Sequence, residues 1–359
     1  MTNHSFTAKG KSTFWISVIA WVTVFLAVTA QAREAEVSLI ENANQVFKPL
    51  PQNMATEVFP IIPIRVALGR KLFFDPRLSL DGTVSCATCH RPALYGTDAL
   101  AKSIGVEHRL NARNAPTILN AALQFKAHWI GDRENVEEQA MRSLIGHSSF
   151  GNPDFAAVVH KIKALPGYEA KFKQAFPDDP EPVQPENWGK AIGAYERTLV
   201  TPSPFDAFLK GDVKALTSQA QNGLKNFMDI GCASCHNGVG VGGSSFQKFG
   251  VFEDYWKKTG SQPIDEGRFA VTKNPADKYI FKVPSLRNVA MTPPYFHDGS
   301  VAALPQAVRI MGKVQLDREL TDQEVYNLVA FLESLTGEQP EEFITEPILA
   351  PQAFSALPP

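Results

Sequence analysis

Cys-x-x-Cys-His occurs twice in this chain, as Cys86-Ala-Thr-Cys89-His90 and Cys232-Ala-Ser-Cys235-His236, and these four cysteines are all it has. The pentapeptide is the attachment site of c-type haem: each thiol forms a thioether to a vinyl group, and the adjoining histidine binds the iron. A single copy would leave room for a zinc or redox Cys-x-x-Cys that happens to precede a histidine. Two copies that use every cysteine leave no thiol for a disulfide or a separate zinc site. The chain reads as a two-haem protein, with Cys86, Cys89, Cys232 and Cys235 as attachment residues and His90 and His236 as proximal iron ligands.

The N-terminus is an export signal by its pattern. Residues 1–13 are polar with Lys9 and Lys11 and no acid, 14–30 are apolar, and Ala30-Gln31-Ala32 fits a small-residue cleavage site. The apolar run is also long enough to suggest the alternative of an uncleaved membrane anchor. Haem c is attached outside the cytoplasm in bacteria, so export and Cys-x-x-Cys-His agree, and the periplasm is the expected compartment. Cleavage after Ala32 leaves 327 residues (359 − 32), enough for two domains. The net charge of −2 carries no basic run that would suit nucleic acid. A mildly acidic surface suits a basic electron-carrying partner.

The two haem motifs divide the mature chain into two similar units, and the coarse pattern within them is helical. Thr321-x-x-Glu324 is a capping box followed by Val325, Leu328, Phe331, Leu332 and Leu335 at helical spacing, with Gly337 as the expected stop. Ser218-x-x-Gln221 opens a helix that runs into the second haem motif. Trp188, Ile192, Tyr195 and Leu199 mark another apolar stripe. Residues 177–186 read as a loop, and Thr201-Pro202-Ser203-Pro204 as the domain boundary, its prolines ending the preceding helix.

With these elements placed, the chain resembles the bacterial dihaem cytochrome c peroxidases and the related dihaem enzymes that mature tryptophan-derived cofactors. The resemblance covers residues 60–340 and rests on LFFDPRLSLDGTVSCATCH, RNAPTILNAA, EEQA, AYERTLVTPSPFDAFLKGD, GCASCHNGVGVGG, VPSLRNVAMTPPYFHDGS and MGKVQLDRELTDQEVYNLVAFLESLTG. It implies an all-α fold of two cytochrome c-type domains, each around one covalently attached haem c and packed across an interdomain interface. Residues 33–202 would carry a peroxide-reacting haem and 203–340 an electron-transfer haem. An export signal at 1–32 precedes them, and 341–359 would follow as an extended tail.

Site residues follow from the same resemblance. A thioether sixth ligand raises a haem's potential relative to a second histidine, which suits electron entry. Spacing leaves Met291 and Met311 open, and the resemblance selects Met311. Near the first haem, family peroxidases place a removable histidine after a Ser-Ile-Gly-like turn. Here Ser103-Ile104-Gly105 is followed by Val106, so that haem is open or is ligated by His108 from a shifted register. Gln139 matches a distal glutamine. Where the family carries a Glu-Met pair this chain has Ser149-Phe150, with His147 nearby as a stand-in proton shuttle. Trp129 matches a tryptophan between the haems, although its neighbours read Trp-Ile-Gly-Asp rather than Trp-Asp-Gly-Arg. Asn114, with the carbonyls of Thr292 and Pro294, matches the ligands of an interdomain Ca²⁺. His297 is expected to hydrogen-bond a haem propionate. The leading function is reduction of hydrogen peroxide by a small cytochrome c or cupredoxin, in a possible homodimer. Oxidation of a partner protein, or plain electron carriage, are the alternatives.

Overall fold

The computed structural model describes residues 1–2 and 37–349, so the export signal read at 1–32 lies almost wholly outside the described residues, as do 350–359. Two helical cores share the chain. In the first, the helix Pro63–Phe74 crosses the helix Pro185–Glu196, which also receives the helix Val136–Ser143. The stripe Trp188, Ile192, Tyr195 and Leu199 is fully buried against Leu72, Phe73 and Phe172. Each such side chain contributes about 1.5–3 kcal/mol of transfer free energy. The crossing is backbone to backbone: a Cβ at Gly69 would fall inside the Ala191 carbonyl.

The second core is built on the helices Ser218–Ile230 and Asp322–Glu333, which meet where Gly223 lies against the Asn327 carbonyl. Phe47, Phe205, Phe227 and Phe331 fill it, ring centroids 5.1–6.3 Å apart. The Thr321–Glu324 capping box forms as the sequence indicates, with Glu324 N–H donating to Thr321 Oγ1 at 3.2 Å and Thr321 N–H to Glu324 Oε2 at 2.9 Å. Gly337 is not what stops this helix, which ends at Glu333; Gly337 is instead pressed against the Thr201 carbonyl, where no side chain fits. The cap of the haem-leading helix is Thr217, one residue earlier than the Ser218 reading, because its Oγ accepts from Ala220 N–H. Among the described residues the only sheet is a two-stranded antiparallel ribbon, Phe246–Lys248 with Ile280–Lys282.

Two segments depart from the boundaries read in the sequence. Helical residues 37–46 lie N-terminal to the first haem motif, yet Ala43 and Phe47 are buried in the second core. Their apolar stripe, with Leu39, Ile40 and Val46, needs a groove, and the second domain provides it. At the other end, 341–359 does not begin as an extended tail: Glu341–Ile344 make a helical turn, and Phe343 is fully buried in the first core, 6.1 Å from the Phe73 ring. Residues 37–47 and Phe343 therefore cross between domains. The prolines at 202 and 204 do not terminate a helix, since the preceding one stops at Glu196; Pro204 opens the helix Pro204–Leu209 behind Ser203. A fixed φ and a missing N–H suit a first helical residue.

Candidate functional site

Both haem motifs lie on short helical turns. Cys86–Cys89 form one turn closed by His90. The His90 Nδ1 lies 2.9 Å from the Gly96 carbonyl, which can only accept, so Nδ1 carries the proton and Nε2 is left for iron. In the second domain the helix ends at Gly231 in the left-handed region (φ 106°), turning the chain directly into Cys232–Ser234 and His236. Burial holds both imidazoles below the usual histidine range, His236 at about 4, so each is neutral, the form that binds iron. Burial likewise pushes the Cys89 and Cys232 thiols up to about 11. None of the four cysteines is in a disulfide.

The residues of the second site fit a haem. Cys232, Cys235 and His236 open onto a cavity of about 410 Å³, within the range of cofactor sites. Its walls are mostly apolar, and His236 Nδ1 is buried there without a hydrogen-bond partner. Met311, on the helix Leu304–Leu316, faces the same cavity. Met291, the other methionine open by spacing, is 44% exposed and does not line it.

The first domain forms part of that cavity wall. Trp129 enters it from the first-domain side, its Nε1–H donating to the Asn114 carbonyl at 2.9 Å. The seam is closed by Arg113, bidentate to Asp265 at 2.7 and 2.9 Å, and by Asn114 N–H to the His297 carbonyl at 2.7 Å. Arg113 holds the Asp265 carboxyl below its usual range against the opposing effect of burial. The His297 ring is 2% exposed, 4.3 Å from the Phe281 ring, and its Nε2 makes no hydrogen bond, the Asp265 carboxylate lying 3.8 Å away. Asn114 donates its Nδ2 to Leu100 O at 2.8 Å, leaving its Oδ1 free. The Thr292 and Pro294 carbonyls accept no hydrogen bond, and all three residues border the cavity. Among the described residues no group of three or more His, Cys, Asp or Glu side chains could hold a metal ion.

Around the first haem motif the picture differs from the sequence reading in two places. His108 is exposed, at φ 59°, while Val106 is fully buried and its N–H donates to the Ser149 carbonyl at 3.1 Å. His147 is also exposed, its Nδ1 3.4 Å from Arg109 Nη1. The stand-in proton shuttle expected at His147 is thus a surface imidazole beside a guanidinium. The Ser149 hydroxyl is committed to the Ser143 and Gly146 carbonyls at 2.7 and 3.1 Å. Gln139, on the helix Val136–Ser143, is half-buried, and its amide makes no hydrogen bond with the described residues. Sequence reading missed Lys282, buried in the cavity wall, and Glu196, 4% exposed beside the buried Arg197–Glu137 pair. The one signal for Lys282 was a lysine inside the apolar run Ile280-Phe281-Lys282-Val283.

Comparison with known proteins accords with this architecture. Residues 63–214 match the family described as di-haem cytochrome c peroxidase, and 220–336 match cytochrome c. The chain is 44% identical to the cytochrome c551 peroxidase of Pseudomonas aeruginosa, over 84% of this chain and 88% of that one. It is 34% identical to the methylamine utilization protein MauG of Methylorubrum extorquens, over 86% and 88%. A solved MauG-like protein associated with microbial copper homeostasis superposes with a TM-score of 0.72 at 29% identity, covering 84% of this chain and 97% of that one. The chain belongs to the di-haem cytochrome c peroxidase family. It is an oxidoreductase of two cytochrome c domains that carries two haem c groups.

Proposed function

We propose that this enzyme reduces hydrogen peroxide to two waters, H₂O₂ + 2 e⁻ + 2 H⁺ → 2 H₂O, in the periplasm, with electrons from a small cytochrome c or cupredoxin. The observation that carries this reading is the pairing of unlike sites. His236 and Met311 face one cavity, whereas His90 has no comparable partner because Val106 is buried and His108 points outward. A haem held by Cys86, Cys89 and His90 would supply the peroxide-reacting iron, and one held by Cys232, Cys235, His236 and Met311 would supply stored electrons. Gln139 orients the peroxide through its free amide. No carboxylate stands at position 149, so the protons arrive through solvent rather than from a fixed acid, and turnover is slower than an acid-assisted pocket would allow. Trp129 lies on the electron path across the seam.

Asn114 Oδ1 with the Thr292 and Pro294 carbonyls would hold Ca²⁺, an all-oxygen donor set that suits this ion. That site joins the two domains, so the ion supports electron transfer between them. Among the described residues no helix is long and apolar enough to cross a membrane.

The test is steady-state peroxide consumption by purified holoprotein with excess reduced small cytochrome c, with and without Ca²⁺. Turnover that falls on chelation and recovers on adding Ca²⁺ is expected. No turnover with any small donor, on fully haem-loaded protein, overturns the reading. That outcome would favour the second one, oxidation of a partner protein through Trp129, which the buried Val106 also suits.

A further inference from the structure

Lys282 is out of place in the wall of the second haem cavity. It ends the strand Ile280–Lys282, follows the buried Phe281, and is 6% exposed. Its Nζ donates to a single acceptor, the Gln124 amide oxygen contributed by the first domain. An ammonium has three donors, so two are left without a protein partner among the described residues, on a side chain that lines the cavity. No aspartate or glutamate lines the cavity, and burial alone pushes the Lys282 pKa down to about 8, with no carboxylate opposing it. The other buried cation bordering the space, Arg287, is already paired with Asp206 at 2.8 Å. A buried, uncompensated ammonium is costly unless an anion joins it. The group this cavity receives brings two carboxylates.

We propose that Lys282 receives a propionate carboxylate of the second haem and, with Gln124, forms a propionate–ammonium–amide bridge from that haem to the first domain. The proposal rests on the second haem occupying the Cys232/Cys235 cavity. The bridge ends beside Trp129, whose carbonyl accepts the Lys282 backbone N–H at 2.7 Å. Lys282 is thus a positioning residue that fixes the haem edge against the seam. Its positive charge also favours the reduced, more electron-rich haem.

The experiment uses Lys282→Met, Lys282→Gln and Lys282→Arg holoproteins. Haem content is measured first, so absence of the second haem is separated from failure of the bridge. Spectroelectrochemical titration then reads both midpoint potentials, and resonance Raman reads the propionate bending bands. In the neutral variants the second-haem potential falls, the first stays in place and the propionate bands shift, while Lys282→Arg restores most of the change. If the neutral variants lose the second haem and Lys282→Arg keeps it, the need for a cation there is met directly. Wild-type potential and bands in a neutral variant holding both haems overturn the proposal, leaving Lys282 as a tie to Gln124 only. Loss of the haem in all three variants overturns it in favour of packing.

Discussion

Removing the Asp206 carboxylate should unfasten the second haem loop from the domain junction. Asp206 is 2% exposed and serves four donors. Its Oδ2 accepts from Arg287 Nη1 at 2.8 Å, Ser203 N–H at 2.8 Å and Ser203 Oγ–H at 2.7 Å, and its Oδ1 from Leu50 N–H at 2.7 Å. Arg287 in turn donates through Nε and Nη2 to the carbonyl of Val239, three residues past His236 of the second Cys-x-x-Cys-His motif, at 3.1 and 2.9 Å. Asp206→Ala leaves that guanidinium buried and unpaired, which costs about 3–5 kcal/mol. For a domain of this size the loss lowers the unfolding midpoint by roughly 10–15 °C. Thermal unfolding of the holoprotein, followed by far-UV circular dichroism, measures it. The double variant Asp206→Leu with Arg287→Met removes both charges and should recover much of the loss, because an apolar replacement of a buried pair is often neutral. A loss below about 1 kcal/mol in the single variant, or a double variant no better than the single, would refute the assignment of this stability to charge pairing.

Met311→His should lower the potential of the second haem, since a second imidazole stabilises the ferrous state less than a thioether does; Met291→Ala should leave it unchanged, and equal potentials in wild type and Met311→His would remove Met311 from the iron. Gly223→Ala forces a methyl into the Asn327 carbonyl across the 218–230 and 322–333 crossing, and should cost about 1–3 kcal/mol in chemical denaturation; an unchanged midpoint would show that the helices can separate freely. Burial, reinforced by the nearby Glu137 charge, pushes Glu196 from 4.5 up to about 8. The folded chain then holds a proton that the unfolded chain has released, so stability should fall as pH rises from about 4.5 to about 8 and level off above. Urea midpoints across that range should lose this slope in Glu196→Gln, and an equal slope in both proteins would acquit Glu196.

Much of this architecture was legible because its determinants are local. A Cys-x-x-Cys-His turn needs only consecutive residues, the Thr321–Glu324 box caps its own helix, and Trp188, Ile192 and Tyr195 declare a buried stripe by spacing alone. The choice between Met291 and Met311 was not of this kind. Both are single methionines at plausible distances, and they differ in what lies across from them: solvent for one, the His236 cavity for the other. The surroundings of His147 are of the same kind, since nothing in the sequence shows that its ring lies beside Arg109 on the surface.

By itself, the sequence determined the number of haems and the helical character of the chain, since the Cys-x-x-Cys-His motifs and the apolar stripes each depend on residues close together along the backbone. Tertiary structure alone decided how the halves interlock. Helical residues 37–46 pack on the second domain, Phe343 returns to the first, and Lys282 reaches Gln124 across the seam. Those contacts join positions more than 150 residues apart, and in such pairs burial and charge are set by which surfaces meet, a property no local pattern carries.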